Sequence, residues 1–342
     1  MRIAMVGSDF DFSSKDGISR YAYELYRRIR KSNSVSTYCF KKEGGFIGNA
    51  LHGFNRLFIG AKIANADIVH VVYPNTAVVR STAPQVLTWH DTALFTRYRT
   101  RNIFSGKFYH HLGVVLPAVK NTKNASGIIY VSDETKESVE RLLPESAEKP
   151  NRVIYEGIDE EFVKSEPVGN IARKDFVYVG SVQYKHKNVD FLIRSFLNAK
   201  LSGEDLYIFT PTDKSLIPSR YFGIKNIHII INASTKEIAE KLKRSIALLH
   251  FSKLEGFGLT ILESMAVGTP VLILKHASIP KAVSKYAWAV EEQEVVEKLR
   301  ELSKNPEPLS RKAIMYAKSF SWDSTAKNTL SFYREILETK VK

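Results

Sequence analysis

The chain has 342 residues, 44% of them apolar and 25% charged. At about 150 residues per domain this predicts two domains with sizeable cores, and it excludes a single small module, a disordered chain and a fibrous one. No stretch longer than 12 residues lacks Asp, Glu, Lys and Arg, whereas a membrane-spanning helix needs roughly 20 apolar positions. Cys39 is the only cysteine, which excludes disulfides and cysteine-rich zinc sites; with an apolar run at residues 3–6 too short for a signal segment, it points to a reducing, cytoplasmic setting. The net charge of +14 is uneven, for residues 1–132 hold 18 Lys/Arg against 7 Asp/Glu, an excess of 11. An anionic partner is expected there, and nucleic acid, a phospholipid surface and a phosphorylated substrate all answer to it, as does a solvated basic surface with no partner.

In chain order, β-branched runs alternate with amphipathic segments, the pattern of βα units on a largely parallel sheet. Strands are expected at 2–6, 35–40, 67–71, 85–89, 127–131 and 152–155, with a helix over 18–31 in which Ile18, Tyr21, Leu25 and Ile29 recur at helical spacing. Residues 163–174 contain Pro and Gly without a clear period, and read as a linker. A second series follows, with strands at 176–179, 206–209, 227–231, 247–250 and 271–274 and helices from about Asn188, Thr235 and Leu259. Ser234 and Glu237 before Ile238 form a capping box. Two such series imply two doubly wound domains facing across a cleft, with ligands bound beyond the carboxyl ends of the strands.

The stretch from His250 to Pro270 carries the chemistry. A strand ends near His250, Gly256 and Gly258 flank Phe257, and a helix starts near Leu259. Glycine admits a ligand close to the backbone and free N–H groups at a helix start attract an anion, so this is a phosphate cradle without a Walker lysine. Glu255 before the loop and Glu263 about one turn into the helix suit sugar hydroxyls better than phosphate. A ligand with both phosphate and sugar, such as a nucleotide-sugar, fits; a plain strand-loop-helix turn with two surface glutamates has the same spacing.

The segment resembles the Glu-x7-Glu signature of family 4 retaining glycosyltransferases of GT-B fold, with Glu255 and Glu263 at the two glutamate positions. Further matches run in order along the chain: Gly17-Ile18-Ser19-Arg20-Tyr21, His90-Asp91, Gly157-Ile158-Asp159, Tyr178-Val179-Gly180 with Lys187-Asn188, Ala266 and Gly268 before Thr269-Pro270-Val271, and Phe320-Ser321-Trp322. The resemblance implies an α/β, GT-B protein with two Rossmann-like domains: an acceptor domain over 1–164, a nucleotide-sugar donor domain over 165–321, and a C-terminal helix over 322–342 packing back on the first. It also implies hexosyl transfer from a nucleotide-sugar to a hydroxyl of a glycan or lipid-linked glycan, with retention at the anomeric carbon. Glu255, His90 and Lys187 take the catalytic positions, and Glu263, Gly256, Phe257, Gly258, Leu259, Thr260, Ser181, Lys185 and Gly17 the donor-binding ones. No metal and no cofactor are implied. Lys187 would neutralise the departing diphosphate, which itself accepts the acceptor's proton.

The chain departs from the family pattern at Ser181, where Arg is common, at Asp16 before a single Gly17, and at Thr210-Pro211-Thr212, which replaces a glycine-rich turn. Asp9-Phe10-Asp11 has the form of a metal motif but follows the first strand, which favours a solvated loop. Arg97, Arg99, Arg101 and Lys107 interleave with Phe95, Tyr98, Phe104, Phe108 and Tyr109, a composition suited either to a solvated loop or to peripheral docking on an anionic membrane surface from the cytoplasmic side. Other readings are a nucleotide-sugar epimerase or phosphorylase of the same fold, and a nucleic-acid-binding protein; no nucleic acid is expected if the glycosyltransferase reading holds.

Overall fold

The computed structural model describes residues 1–7, 10–11, 16–39, 61–76, 78–96, 114–166 and 172–339. Asp9, the stretch 97–113 with its four basic residues, and part of the expected linker, 167–171, lie outside the described residues. The chain divides into two compact units, Met1–Glu156 with Trp322–Lys342, and Gly157–Ser321. The division falls ahead of the expected 164, because 160–164 form a helix of the second unit.

In the first unit β1 (Arg2–Gly7), β2 (Ser34–Cys39), β4 (Ile68–Val71), β6 (Gln85–Trp89), β7 (Gly127–Tyr130) and β8 (Asn151–Val153) make a six-stranded sheet in the order β2-β1-β4-β6-β7-β8, with parallel pairings throughout. β3 (Ala61–Ile63) and β5 (Val79–Ser81) form a separate parallel pair. β4, β6 and β7 are buried along their whole length, as apolar strands covered on both faces must be. The helices are α1 (Gly17–Ile29), α2 (Ala93–Thr96), α3 (Leu116–Asn124) and α4 (Asp133–Leu142). α1 buries Tyr21, Leu25 and Ile29 on one stripe, and Asp16 caps it by accepting from the Ser19 amide at 2.9 Å. The residue that departs from the family pattern therefore has a local task.

In the second unit β9 (Phe176–Val179), β10 (Leu206–Thr210), β11 (Ile227–Ile231), β12 (Ala247–His250), β13 (Val271–Leu274) and β14 (Trp288–Val290) pair in parallel in the order β11-β10-β9-β12-β13-β14. Its helices are α5 (Glu160–Lys164), α6 (Val189–Ala199), α7 (Thr235–Lys243), α8 (Leu259–Ala266), α9 (Lys281–Ser284), α10 (Val295–Lys304) and α11 (Arg311–Lys318). Both halves of the capping box at Ser234 and Glu237 form at the start of α7. The strand order reverses between β9 and β12, so the loops after those two strands bound a topological switch point, where open parallel sheets bind ligands.

The last helix, α12 (Trp322–Thr339), belongs to the first unit. It approaches β7 at Gly127, where an added Cβ would stand 2.6 Å from Ile336 Cδ1 and 2.9 Å from Phe332 Cζ. Glycine is what lets the helix come this close.

Candidate active site

The switch point of the second unit brings Lys187 and Glu255 together. After β9 the chain passes Gly180, enters a short 3-10 turn at Lys185–Lys187, and leaves it through Asn188 in the left-handed region (φ 56°) to start α6. After β12 it runs from His250 to Glu255. The two loops are tied where the Lys253 amide donates to the His186 carbonyl at 2.8 Å. A third segment braces the second loop: the Ser278 amide donates to Lys253 O and the Glu255 amide to Ser278 O, both at 2.9 Å. Lys187 Nζ then lies 2.7 and 2.9 Å from the two carboxylate oxygens of Glu255. His250 Nε2 is 3.0 Å from Glu255 Oε1, while His250 Nδ1 meets Thr260 Oγ1 at 3.3 Å.

Burial pushes the Glu255 carboxyl up, but the Lys187 ammonium and then the His250 ring outweigh it and hold the group well below the usual carboxylate range. Burial, with the Glu255 charge next, drives the Tyr178 hydroxyl well above its ordinary value, so it stays protonated and donates to Ser181 O at 2.9 Å. His250 was not singled out as a site residue in the sequence. Its position at a strand end five residues before Glu255 was the available signal. Asn188 Nδ2 and Ser252 Oγ are buried without a hydrogen-bond partner among the described residues, and both belong to these two loops. Orphaned polar atoms gathered at a switch point are the expected trace of a ligand or water site.

Gly258 caps α8 in the left-handed region (φ 100°). Phe257 is buried and its ring lies 6.1 Å from that of Phe320, so Phe320 packs on the glycine loop. Glu263 lies within α8 and is 2% exposed. The turn after α8 is held by Arg173, whose guanidinium donates to Gly268 O at 2.7 Å and Ser245 O at 2.9 Å. Thr212 Oγ1 accepts from the Val182 amide at 3.2 Å, so the threonine turn ties the loop after β10 to that after β9. Leu259 is buried, Gly256, Thr260 and Ser181 are half-buried, and Lys185 is exposed.

In the first unit His90 follows β6 and is buried. Its Nδ1 lies 2.9 Å from Glu156 Oε1 and its Nε2 3.0 Å from Val72 O. Asp91 is turned to its own chain, accepting from the Ala93 amide at 2.8 Å. Gly17 is exposed with φ outside the left-handed region, and a Cβ there would meet nothing within 4 Å. Among the described residues no three His, Cys, Asp or Glu side chains gather as metal ligands, and no helix is long and apolar enough to cross a membrane.

Residues 160–320 match the family model described as glycosyl transferases group 1, and residues 15–162 match glycosyltransferase family 4. An uncharacterised glycosyltransferase of Methanocaldococcus jannaschii is 24% identical over 265 residues, 74% of this chain and 69% of that protein. A D-inositol 3-phosphate glycosyltransferase of Mycobacterium leprae is 33% identical over 97 residues, 24% of this chain and 22% of that one, so the likeness is local. Among solved structures, sucrose-phosphate synthase from Thermosynechococcus elongatus superposes at a TM-score of 0.73 with 13% identity, over 99% of this chain and 100% of that one. WaaG, a glycosyltransferase involved in lipopolysaccharide biosynthesis, does so at 0.62 and 13%, over 99% and 98%. These structural likenesses concern the fold, which is GT-B. With the two family models running between them from residue 15 to residue 320, the chain belongs to the GT-B glycosyltransferases of group 1 and family 4.

Proposed function

We propose that the protein moves a hexosyl group from a nucleotide-sugar to a hydroxyl of a glycan or lipid-linked glycan, with retention at the anomeric carbon and without a divalent metal. The observation that carries this reading is the Lys187–Glu255 pair at the switch point, beside the glycine-led start of α8 and the buried Glu263. In the reaction the bond from the anomeric carbon to the donor phosphate breaks and a bond to the acceptor oxygen forms on the same face. The acceptor's proton passes to the departing phosphate oxygen. Lys187 exchanges Glu255 for the diphosphate, whose negative charge grows as it leaves. His250 then stays beside Glu255, which is free to meet the donor sugar, while Glu263 accepts from the ribose hydroxyls.

A thermal-shift screen of nucleotide-sugars tests the reading, since a bound donor raises the melting temperature. Glu263→Ala is expected to lose about 1.5–3 kcal/mol of donor affinity, the loss of a charged acceptor. Unchanged affinity removes Glu263 from the donor site. Transfer is expected to survive EDTA; loss that Mn²⁺ restores would overturn metal independence.

Lipid-linked acceptors imply contact with an anionic membrane surface. Support comes from the basic excess of residues 1–132 and from Lys31, Lys327 and Arg334, which line a cavity of about 260 Å³ with Arg28 and Asp323. Each such cation near a charged bilayer contributes about 1 kcal/mol. Sedimentation with anionic vesicles that fades with salt is expected, and equal indifference to anionic and neutral vesicles removes the membrane contact.

A further inference from the structure

The two ring nitrogens of His90 can be accounted for proton by proton. Nε2 lies 3.0 Å from the Val72 carbonyl oxygen, which only accepts, so Nε2 carries a hydrogen. Nδ1 lies 2.9 Å from Glu156 Oε1. A bare nitrogen and a carboxylate oxygen would face each other there with lone pairs, so a hydrogen lies on this line too. Both side chains are almost fully buried, at 7% and 5% exposure, and little water competes for that hydrogen.

The ring has no freedom to escape the arrangement. Tyr21 of α1 meets it edge-on with centroids 4.6 Å apart, Tyr73 lies at 6.0 Å, and Thr135 of α4 donates to the His90 carbonyl at 3.2 Å. The other titratable groups nearby do not take Glu156's place. Burial, with His90 as a lesser cause, lowers His70 of β4 to about 3 and keeps it neutral, and burial raises the Tyr21 hydroxyl above its ordinary value. Asp91 is engaged with the Ala93 amide.

We propose that Glu156 is a positioning residue that keeps a hydrogen on Nδ1 of His90 as well as on Nε2, so that the imidazole stands at the carboxyl end of the first sheet as a cation and not as a base. Its consequence for catalysis rests on the glycosyl-transfer reading. A doubly protonated ring has no lone pair for an acceptor hydroxyl's proton, which is consistent with the departing phosphate taking it. Glu156 immediately precedes the Gly157-Ile158-Asp159 match and had drawn no role from the sequence.

The experiment is ¹⁵N NMR of the histidine rings in the full, ligand-free chain, with His90→Asn used to assign the signals. In the wild type both His90 nitrogens are expected to show one-bond N–H coupling. Glu156→Gln keeps the volume and offers an amide N–H to Nδ1, so Nδ1 is expected to lose its hydrogen and shift to the bare-nitrogen range while Nε2 stays unchanged. Rescue of the Nδ1 hydrogen by Glu156→Asp would mark the carboxylate as the cause. A bare Nδ1 in the wild type, or an Nδ1 that stays protonated in a folded Glu156→Gln variant, overturns the assignment. No sugar donor enters the measurement, so a failed donor screen leaves this result standing, and a bare Nδ1 leaves the glycosyl-transfer reading intact.

Discussion

Two groups of buried polar side chains show how differently two parallel six-stranded sheets can be used. In the second unit Lys187, Glu255 and His250 are joined mainly by charge, and each belongs to a loop or strand end at the switch point. In the first unit a neutral chain runs through the interior: Tyr333 Oη to His70 Nδ1 at 2.5 Å, His70 Nε2 to Thr88 Oγ1 at 2.7 Å, and Thr88 Oγ1 to Tyr21 Oη at 3.0 Å. The first group can trade partners with a ligand, because a charge already out of water gains by meeting another of opposite sign. The second fastens α12, β4, β6 and α1 together and has nothing to exchange. In this chain the charged, loop-borne group is the one placed to meet a ligand.

The largest effect is expected at Lys187. Lys187→Ala should lower transfer by about 10²–10³-fold, the range for removing one preorganised electrostatic contact to the transition state. It should also destabilise the second unit by about 2–3 kcal/mol, less than for a fully buried broken pair because His250 remains beside Glu255. Lys187→Met with Glu255→Gln removes both charges, and its stability should recover while its activity does not. Urea unfolding and single-turnover transfer read the two quantities separately. A double variant as unstable as the single one would mean that the pair is not what the lysine contributes.

The contrast was only half legible in the sequence. Buried apolar strands such as β12 and β13 announce themselves by continuous runs, and the helix start at Ser234 by its capping box. β3, β5 and β14 were missed: each is three residues long and leaves little for a period to show, though β8, equally short, was expected at 152–155. Lys187, Glu255 and Glu263 could be picked out because their spacing matches a family motif. Arg173 and Glu156 could not, because each does its work through partners far along the chain, Arg173 at Gly268 and Glu156 at His90, while His250 has its partners close by but stands outside the motif. The expected linker is itself partly structure, since Val163 and Lys164 end α5 and Arg173 anchors the turn after α8.

The neutral chain of the first unit gives the next effect, read through pH. Burial lowers His70 from 6.5 to about 3, so between those values the unfolded chain binds a proton that the folded chain refuses. Stability therefore rises with pH through this window, is fully present above 6.5, and is lost as pH falls. Each unit of pH inside it is worth about 1.4 kcal/mol, so roughly 2–3 kcal/mol should disappear between pH 6.5 and 4.5. Glu255 contributes below its ordinary carboxylate value of 4.5, so the measured span from pH 6.5 to 4.5 is clear of the other site. His70→Gln should flatten the slope in urea unfolding at the two pH values. An equal slope in both proteins would place the acid sensitivity elsewhere.

The smallest effect compares two glycines. At Gly127 the obstacle to a side chain is space, for a Cβ would press on Ile336 and Phe332 of α12. At Gly258 the obstacle is conformation: φ is 100°, while the nearest atoms, Ile261 Cδ1 at 3.3 Å and Val283 Cγ2 at 3.4 Å, have only to give slightly. A left-handed residue with a Cβ costs about 1–2 kcal/mol, and the chain can relieve that strain by turning the first residues of α8. Gly127→Ala should then lower the melting temperature and leave donor affinity unchanged. Gly258→Ala should cost about 1–2 kcal/mol of stability and also weaken donor binding, because the amides at Leu259 and Thr260 no longer point as they did. Calorimetric donor titration beside thermal unfolding separates the two. Equal donor affinity in both variants would mean that the start of α8 does not hold the phosphate.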